Sequence, residues 1–272
     1  MKKILVFIST VLMALSAQAQ QRQVTITTDI QYRTGESKSW VLDLANPENP
    51  RGVLRPAIVI IHGGGWSMGD KADDVYRRML LDYALQGYVT VSINYRLTQE
   101  APFPACIEDC KCAVRWLRAH AEELKVDPDR IGSYGHSAGA HLSMMLAVSA
   151  GNKALEGDGP YKEYSSKVTC AGAGSPPTEI GRKVGNLAEH PEWWPIGYYD
   201  AESAPMLLIQ GLQDNVVKPE LTEDFVAKKR AAGTSIELLE LNGHHGVAFD
   251  IRLETTKPAL DTFFSTNLKA RR

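Results

Sequence analysis

Basic side chains are not in excess in this chain of 272 residues, which argues against a nucleic-acid-binding protein. Lysine and arginine number 30, aspartate and glutamate number 32, and no stretch concentrates the basic residues. The histidines do not have the spacing that would let them join the cysteines in a metal site, and no motif indicates a cofactor. We therefore expect a small or neutral ligand, with no metal, no cofactor and no nucleic-acid partner.

The chain also has no apolar run long enough to cross a bilayer as a helix. Its apolar N-terminal segment, Ile4 to Leu15, is short, follows Lys2 and Lys3, and precedes an A-x-A tripeptide that ends at Ala19. This order is typical of a signal peptide, and no lipobox cysteine accompanies it. We expect cleavage near Ala19 and export to the periplasm or the medium, without stable membrane insertion. Residues 20–272 contain no repeat or linker and are predicted to form a single domain.

Cysteine is scarce, with four in the chain. Export would permit disulfides, and four cysteines allow three full pairings between which the sequence does not choose. Cys110 lies on an apolar stripe between Ile107 and Leu124 that has the three- and four-residue spacing of one helix face. A cysteine at such a position is expected to be a small buried apolar group. The four are Cys106, Cys110, Cys112 and Cys170.

Patterns typical of strands and of helices alternate along the chain. Residues 23–30 and 40–44 alternate in polarity and predict antiparallel edge strands leading into a sheet. Apolar runs predict further strands over 57–61, 88–94, 130–134, 167–173, 205–210 and 235–241, and helices over 75–86, 104–124, 140–148, 219–232 and 248–268, with a turn at Asp127–Asp129. This alternation predicts an α/β fold whose mostly parallel central sheet is covered by helices on both faces.

The pentapeptide Gly135-His136-Ser137-Ala138-Gly139 stands between a predicted strand and a predicted helix. A Gly-x-Ser-x-Gly in this context is the nucleophile elbow of the α/β-hydrolase fold. The serine lies on a turn so sharp that side chains at the flanking positions would collide, which explains the two glycines. Ser137 is therefore the predicted nucleophile of a single α/β-hydrolase catalytic domain that covers residues 20–272.

The pentapeptide His62-Gly63-Gly64-Gly65-Trp66 follows the first buried strand directly. In α/β-hydrolases a glycine-rich loop at this place supplies backbone N–H groups to the oxyanion of the tetrahedral intermediate. We expect the N–H groups of Gly64, Gly65 and Ala138 to form the oxyanion hole and His62 to anchor the loop. A phosphate-binding loop is the weaker alternative, because neither Gly-Lys-Ser/Thr nor Gly-x-Gly-x-x-Gly is present.

The acid and the base of a triad are expected after the nucleophile, in that order. Asp214 follows the predicted strand over 205–210 and is the expected acid. Two adjacent histidines, His244 and His245, follow the last predicted strand. We prefer His245 as the base because a glycine follows it, and we keep His244 as the alternative. The base would take the Ser137 proton while Asp214 orients the imidazole.

Five further motifs surround these residues: Gly69-Asp70-Lys71, Asn94-Tyr95-Arg96-Leu97, Glu108-Asp109, Arg115-Trp116-Leu117-Arg118 and Asp127-Pro128-Asp129-Arg130-Ile131. Together with the two glycine motifs, they resemble the exported carboxylesterases of the α/β-hydrolase superfamily. The type they resemble most is the bifunctional feruloyl and acetylxylan esterase, akin to the hormone-sensitive-lipase-like enzymes. The resemblance runs from Tyr32 to Phe249 and implies a serine ester hydrolase, often of acetyl, feruloyl or methyl esters on plant polysaccharides. The chain departs from the family pattern at Ala140, where a second glycine is usual.

About thirty residues, Ser175 to Ala204, separate two core strands, so any lid over the site is short. They carry Trp193, Trp194, Tyr198 and Tyr199. Such aromatic side chains could stack on a sugar or a feruloyl ring, or could pack the loop onto the core, and both alternatives stay open. The candidate substrate contacts are Trp66, His136, Trp193 and Trp194.

Two other functions are compatible with this fold. A serine peptidase of the prolyl-oligopeptidase type would use the same triad, but the chain has no propeller domain and no acidic pair to hold an amine. A non-catalytic binding protein would not need the complete set of catalytic parts that is present. We expect hydrolysis of short-chain or aromatic esters through an acyl-enzyme on Ser137.

Overall fold

The computed structural model describes residues 23–49, 51–179, 190–198, 202–247 and 255–269. The predicted signal peptide, Tyr199 and the first residues of the predicted last helix lie outside these ranges. Within them, strands and helices alternate as the sequence predicts, and the strands join in a single sheet.

The sheet is mostly parallel. Its strands in the described residues are β1 (Val24–Gln31), β2 (Val41–Pro47), β3 (Arg55–Ile61), β4 (Val89–Ile93), β5 (Val126–His136), β6 (Cys170–Gly174), β7 (Met206–Gly211) and β8 (Ile236–Leu241). They lie in the order β1-β2-β4-β3-β5-β6-β7-β8. The pairs β1–β2 and β2–β4 are antiparallel, and all other neighbours are parallel. Two antiparallel strands therefore lead into the parallel sheet as predicted, although only β1 lies at the edge.

Helices cover both faces of the sheet. They are α1 (Asp74–Gln86), α2 (Ala105–Ala119), α3 (Ala121–Leu124), α4 (Ala138–Val148), α5 (Pro219–Ala231) and α6 (Thr256–Asn267). One core lies between the sheet and α2, α4 and α5, and a second lies between the sheet and α1 and α6. Val59 and Ile61 of β3 face the first core, whereas Ile58 and Ile60 face the second. Burial on both faces explains why β3 is an uninterrupted apolar run.

Two predicted boundaries differ from the structure. The helix predicted over 104–124 is divided at His120, whose dihedral angles are not helical and whose ring Nδ1 lies 2.8 Å from the Trp116 carbonyl oxygen. The turn predicted at Asp127–Asp129 lies inside β5, because β3 pairs with β5 first at Val126 and next at Ile131. The residues between these pairs form a bulge, and the Asp129 N–H donates to the Asp127 carboxylate at 3.0 Å. The segment therefore forms the hydrogen bond typical of a turn, but it bends strand β5 and does not end it.

All four cysteines are buried free thiols. Cys110 lies in the core under α2, as its position on the apolar stripe predicts, and Cys170 lies in the opposite core. Burial raises the pKa of each thiol above its ordinary value, so the reactive thiolate is disfavoured. In the described residues, no helix combines the length and the apolar character needed to span a membrane.

Candidate active site

The predicted catalytic and oxyanion-hole residues follow β3, β5, β7 and β8. Parallel strands end at the same edge of the sheet, so residues distant in sequence meet there. The chain turns from β5 into α4 at Ser137, whose dihedral angles are φ 54° and ψ −118°. These values are costly for any residue with a side chain.

The main chain packs closely around Ser137. A Cβ atom on Gly135 would lie 2.1 Å from the carbonyl oxygen of Gly139. A Cβ atom on Gly139 would lie 2.1 Å from the carbonyl oxygen of Ile61. The collision predicted from the sequence is therefore present at both flanking positions.

The structure brings Ser137, His245 and Asp214 together in a line. His245 Nε2 lies 3.0 Å from Ser137 Oγ, and His245 Nδ1 lies 2.8 Å from Asp214 Oδ2. A carboxylate only accepts hydrogen bonds, so Nδ1 carries the proton and Nε2 is free to accept one from Ser137. The alternative base, His244, is turned away, with its Nδ1 2.8 Å from the Gln213 carbonyl oxygen. The contacts are those expected of a base at His245, which stays the predicted base.

The Asp214 carboxylate is held in the charged form. Its Oδ1 accepts hydrogen bonds from the N–H groups of Val216 at 2.8 Å and Val217 at 2.9 Å. Burial raises the pKa of this carboxyl, but the hydrogen bonds from Val217 and His245 outweigh burial and leave the pKa below its ordinary value. An ionised Asp214 can stabilise a positive charge on His245.

The backbone carbonyl of His245 accepts two further hydrogen bonds. His136 Nε2 lies 3.0 Å and Ser175 Oγ 2.8 Å from this oxygen. Burial lowers the pKa of His136 to about 4, although the hydrogen bond to the His245 carbonyl raises it, so the ring is neutral and donates from Nε2. His136 is 7% exposed. Its contact with the His245 loop gives it a supporting place, and its role as a substrate contact stays a prediction.

The glycine-rich loop lies beside the nucleophile. A Cβ atom on Gly63 would lie 3.5 Å from Ser137 Cβ. Gly64 and Gly65 have φ angles of 110° and 59°, in the region that favours glycine. Among the hydrogen bonds of the described residues, none uses the N–H of Gly64, Gly65 or Ala138 as a donor. These three groups stay the predicted donors of the oxyanion hole.

His62 anchors this loop from below, as predicted. Its ring stacks on Tyr95 with centroids 4.3 Å apart, and its Nδ1 lies 2.8 Å from the Gly63 carbonyl oxygen. The hydroxyl of Tyr95 donates to the His62 carbonyl at 2.9 Å, and that of Tyr76 accepts from the Gly63 N–H at 2.6 Å. Burial lowers the pKa of His62, which keeps the ring neutral.

The aromatic residues near the site differ in exposure. Trp66 is 3% exposed and Trp194 is 1% exposed, so these two pack the loops onto the core. This burial favours the packing alternative, and their role as substrate contacts stays a prediction. Trp193 is partly exposed, stacks on His190 with centroids 3.7 Å apart, and lies 5.0 Å from the Phe103 ring. Of the predicted tryptophans, Trp193 is the most exposed, and its role as a substrate contact stays a prediction.

Comparison with protein-family models matches residues 42–183, about half of the chain, to the BD-FAE family. The chain belongs to the BD-FAE family. The matched range includes the glycine-rich loop and Ser137, whereas Asp214 and His245 lie beyond it. For this member of the BD-FAE family, the family match therefore gives no evidence for Asp214 and His245. Their contacts with each other and with Ser137 are seen in the three-dimensional structure.

Proteins that are similar to this chain in sequence are named as esterases. Esterase LipQ of Mycobacterium tuberculosis is 29% identical over 256 residues, covering 85% of this chain and 59% of LipQ. Esterase LipC of the same organism is 29% identical over 239 residues, covering 80% of this chain and 59% of LipC. The BD-FAE chain thus spans about 59% of the length of these relatives.

Similar solved structures are esterases as well. A truncated carbohydrate esterase from gut microbiota superposes with a TM-score of 0.78 at 26% identity, covering 92% of this chain and 98% of that one. Thermogutta terrifontis esterase 2 in its apo form gives a TM-score of 0.74 at 26% identity, covering 93% and 97%. The predicted α/β-hydrolase fold is confirmed.

Sequence patterns do not identify two residues that support the triad. Ser175 follows β6 directly, and Gln210 is the penultimate residue of β7. The Gln210 amide Nε2 lies 3.4 Å from Asp214 Oδ2 and 3.1 Å from the Val217 carbonyl oxygen. Each is a polar residue at the carboxyl end of an otherwise apolar strand. This position is the sequence signal that could have indicated a role of Ser175 and Gln210 near the site.

Proposed function

We propose that this chain is an exported serine carboxylesterase that hydrolyses short-chain or aromatic esters through an acyl-enzyme on Ser137. The proposal depends above all on the two hydrogen bonds that join Ser137 Oγ to His245 Nε2 and His245 Nδ1 to Asp214 Oδ2, at 3.0 and 2.8 Å. Its family relatives and structural neighbours named as esterases support the same reaction.

In the proposed acylation, Ser137 Oγ attacks the ester carbonyl carbon while His245 Nε2 takes the hydroxyl proton. The carbonyl π electrons move to the oxygen and form a tetrahedral oxyanion. When this intermediate collapses, the bond to the alcohol oxygen breaks, and His245 gives its proton to the departing alcohol. Asp214 stabilises the imidazolium and keeps Nδ1 protonated throughout.

Deacylation repeats these steps with water. His245 Nε2 takes a proton from a water molecule, whose oxygen attacks the acyl carbon. Collapse of the second intermediate breaks the bond to Ser137 Oγ, which regains its proton from His245. The products are a carboxylic acid and the free enzyme.

We assign the oxyanion to the N–H groups of Gly64, Gly65 and Ala138. Gly64 and Gly65 lie in the loop beside Ser137, and Ala138 is the first residue of α4, whose N-terminus favours negative charge. Removing one donor of this kind lowers kcat by about 100- to 1000-fold.

We propose acetyl or feruloyl esters of plant polysaccharides as the natural substrate class. A structural neighbour is a carbohydrate esterase, and Trp193 is a partly exposed aromatic ring against which a sugar or phenolic ring could pack. Small synthetic esters with the same acyl groups should then be cleaved as well. The partner of this protein is its ester substrate.

We also propose that residues 1–19 are a signal peptide and that residues 20–272 form the exported catalytic domain. The basic and apolar segments before Ala19 support this proposal. N-terminal sequencing of the protein recovered from the periplasm or the medium tests it. A mature protein that begins near Gln20 is the expected result, and an intact N-terminus in the cell fraction would contradict it.

The reaction is tested by hydrolysis of nitrophenyl acetate, a long-chain nitrophenyl ester, methyl ferulate and acetylated xylan. We expect activity on the acetyl and feruloyl members that is lost in Ser137→Ala, together with labelling of Ser137 by a fluorophosphonate. Equal activity of the Ser137→Ala variant would show that the nucleophile is wrong. Cleavage of amino-acyl amides in preference to esters would favour a peptidase, and no labelling or hydrolysis at all would favour a binding protein.

The two adjacent histidines provide a matched control. His245→Ala should lower kcat by several orders of magnitude, because the base is lost. His244→Ala removes the same side chain one residue away, where the ring bonds only to the Gln213 carbonyl among the described contacts. We expect it to retain activity within about three-fold. The reverse result would make His244 the base.

A further inference from the structure

His141 is a buried histidine that the proposed chemistry does not use. It lies in the first turn of α4, is 0% exposed, and its backbone N–H donates to the Ser137 carbonyl at 3.0 Å. Its ring Nδ1 lies 3.2 Å from the indole Nε1 of Trp66. Its Nε2 lies 2.9 Å from the backbone carbonyl oxygen of Trp193.

These two contacts fix the protonation of the His141 ring. An indole N–H only donates, so Nδ1 must accept from Trp66. A carbonyl oxygen only accepts, so Nε2 must donate to Trp193. Both hydrogen bonds exist together only in the neutral ring with its proton on Nε2. Burial lowers the pKa of His141 to about 4, which keeps this neutral form.

One ring therefore connects three segments around the nucleophile. Trp66 ends the glycine-rich loop and has a φ angle of 58°, so an outside contact is needed to hold it. His141 belongs to the helix that follows Ser137. Trp193 belongs to the described aromatic segment 190–198. The rings of Trp66, Phe103 and Trp194 surround the imidazole at centroid distances of 5.3, 5.7 and 4.9 Å.

We propose that His141 is a positioning residue that sets the glycine-rich loop and the aromatic segment at fixed places relative to Ser137. The inference rests on the proposed esterase function. The Trp66 hydrogen bond holds the loop that carries the Gly64 and Gly65 donors, and these act mainly on the transition state. The Trp193 hydrogen bond holds the segment whose partly exposed ring is the proposed substrate contact. The first contact therefore governs kcat, and the second governs KM for an aromatic ester.

Two amide substitutions separate the contacts. An asparagine amide reaches the position of Nδ1 and can still accept from Trp66, whereas a glutamine amide reaches that of Nε2 and can still donate to Trp193. We expect His141→Gln to lower kcat for nitrophenyl acetate about 10-fold, since small displacements of catalytic groups are costly. We expect His141→Asn to keep kcat within about three-fold and to raise KM for methyl ferulate about five-fold.

Trp66→Phe provides an independent test, because it removes the indole N–H and keeps an aromatic ring. It should lower kcat as much as His141→Gln does. The double variant should fall no further, because both changes remove the same hydrogen bond. This variant also keeps the test decisive if the His141 variants do not fold.

His120→Asn is the matched control. The His120 ring also stacks on a tryptophan and contacts a backbone carbonyl, with Nδ1 2.8 Å from Trp116 O, but it lies between α2 and α3. Its kcat and KM should equal those of the wild type. His141 and Trp66 variants with lowered melting temperatures but unchanged kcat and KM would overturn the positioning role. A wild type that is neither active nor labelled at Ser137 would overturn the proposed function, and the inference with it.

Discussion

The contact between Ser175 and the His245 loop can be tested by removing one atom. Ser175→Ala deletes the hydroxyl that donates to the His245 carbonyl at 2.8 Å and leaves the His136 contact as the other donor. Ser175 is 0% exposed and has a φ angle of 47°. Serine and alanine both carry a Cβ atom, so the backbone cost is the same before and after the change. Any change in activity then measures the loss of this hydrogen bond alone.

The expected loss follows from the energy of one neutral hydrogen bond, about 1 kcal/mol. If this energy holds His245 in its catalytic position, the productive population falls about five-fold. In the proposed mechanism His245 acts in both acylation and deacylation, so kcat should fall by that factor. KM for a small ester should change by less than about two-fold, because the substrate does not need the base in order to bind.

The assay is steady-state hydrolysis of nitrophenyl acetate, with melting temperatures for each variant. Ser149→Ala is the control, because its buried hydroxyl donates to the Met145 carbonyl at 2.6 Å. Ser149 lies at the other end of α4, about 18 Å from Ser137 by the helical rise. Unchanged kcat in Ser175→Ala, or equal losses in both serine variants, would refute the reasoning.

Three further predictions concern the elbow, the buried histidines and the thiols. Gly139→Ala should abolish the native fold, measured by circular dichroism, because its Cβ would lie 2.1 Å from the Ile61 carbonyl oxygen; a native-like melting curve would contradict this. The pKa values of His136 and His141 fall from 6.5 to about 4 on folding, so the unfolded chain takes up protons first as pH falls. The free energy of unfolding should therefore decrease below pH 6.5 by about 1.4 kcal/mol per pH unit for each ring, down to about pH 4, and a flat profile would argue against neutral rings. All four thiols should react with a disulfide reagent only after denaturation, and fewer than four would indicate a disulfide.

Features that depend on local geometry could be predicted from the sequence. The positions of Gly135 and Gly139 follow from the sterics of one turn, and Asp214 follows from its place after a strand. The elements were predicted well because the strand and helix periodicities are strong. The predicted end of a helix was wrong where side-chain contacts determine it. An example is His120, whose ring contacts the Trp116 carbonyl.

Features that depend on distant contacts could not be predicted. The choice of His245 over its neighbour depends on how one loop turns towards Ser137, 108 residues away in sequence. Trp66 meets a histidine 75 residues further along, and Ser175 meets a loop 70 residues further along. No pattern in the sequence records these pairs, so the burial of Trp66 could not be distinguished from exposure over a substrate.

The close main-chain packing around Ser137 has a consequence for how such a protein can diverge. The elbow is placed by contacts between Gly135, Gly139 and the Ile61 carbonyl, in which no side chain takes part. The face around Trp193, in contrast, is built from side chains. In the proposed function, substitutions there can change which ester fits without moving the attacking oxygen. The proposed reaction and its selectivity would then be encoded in separate parts of the chain, and new substrates could be acquired while the chemistry stays the same.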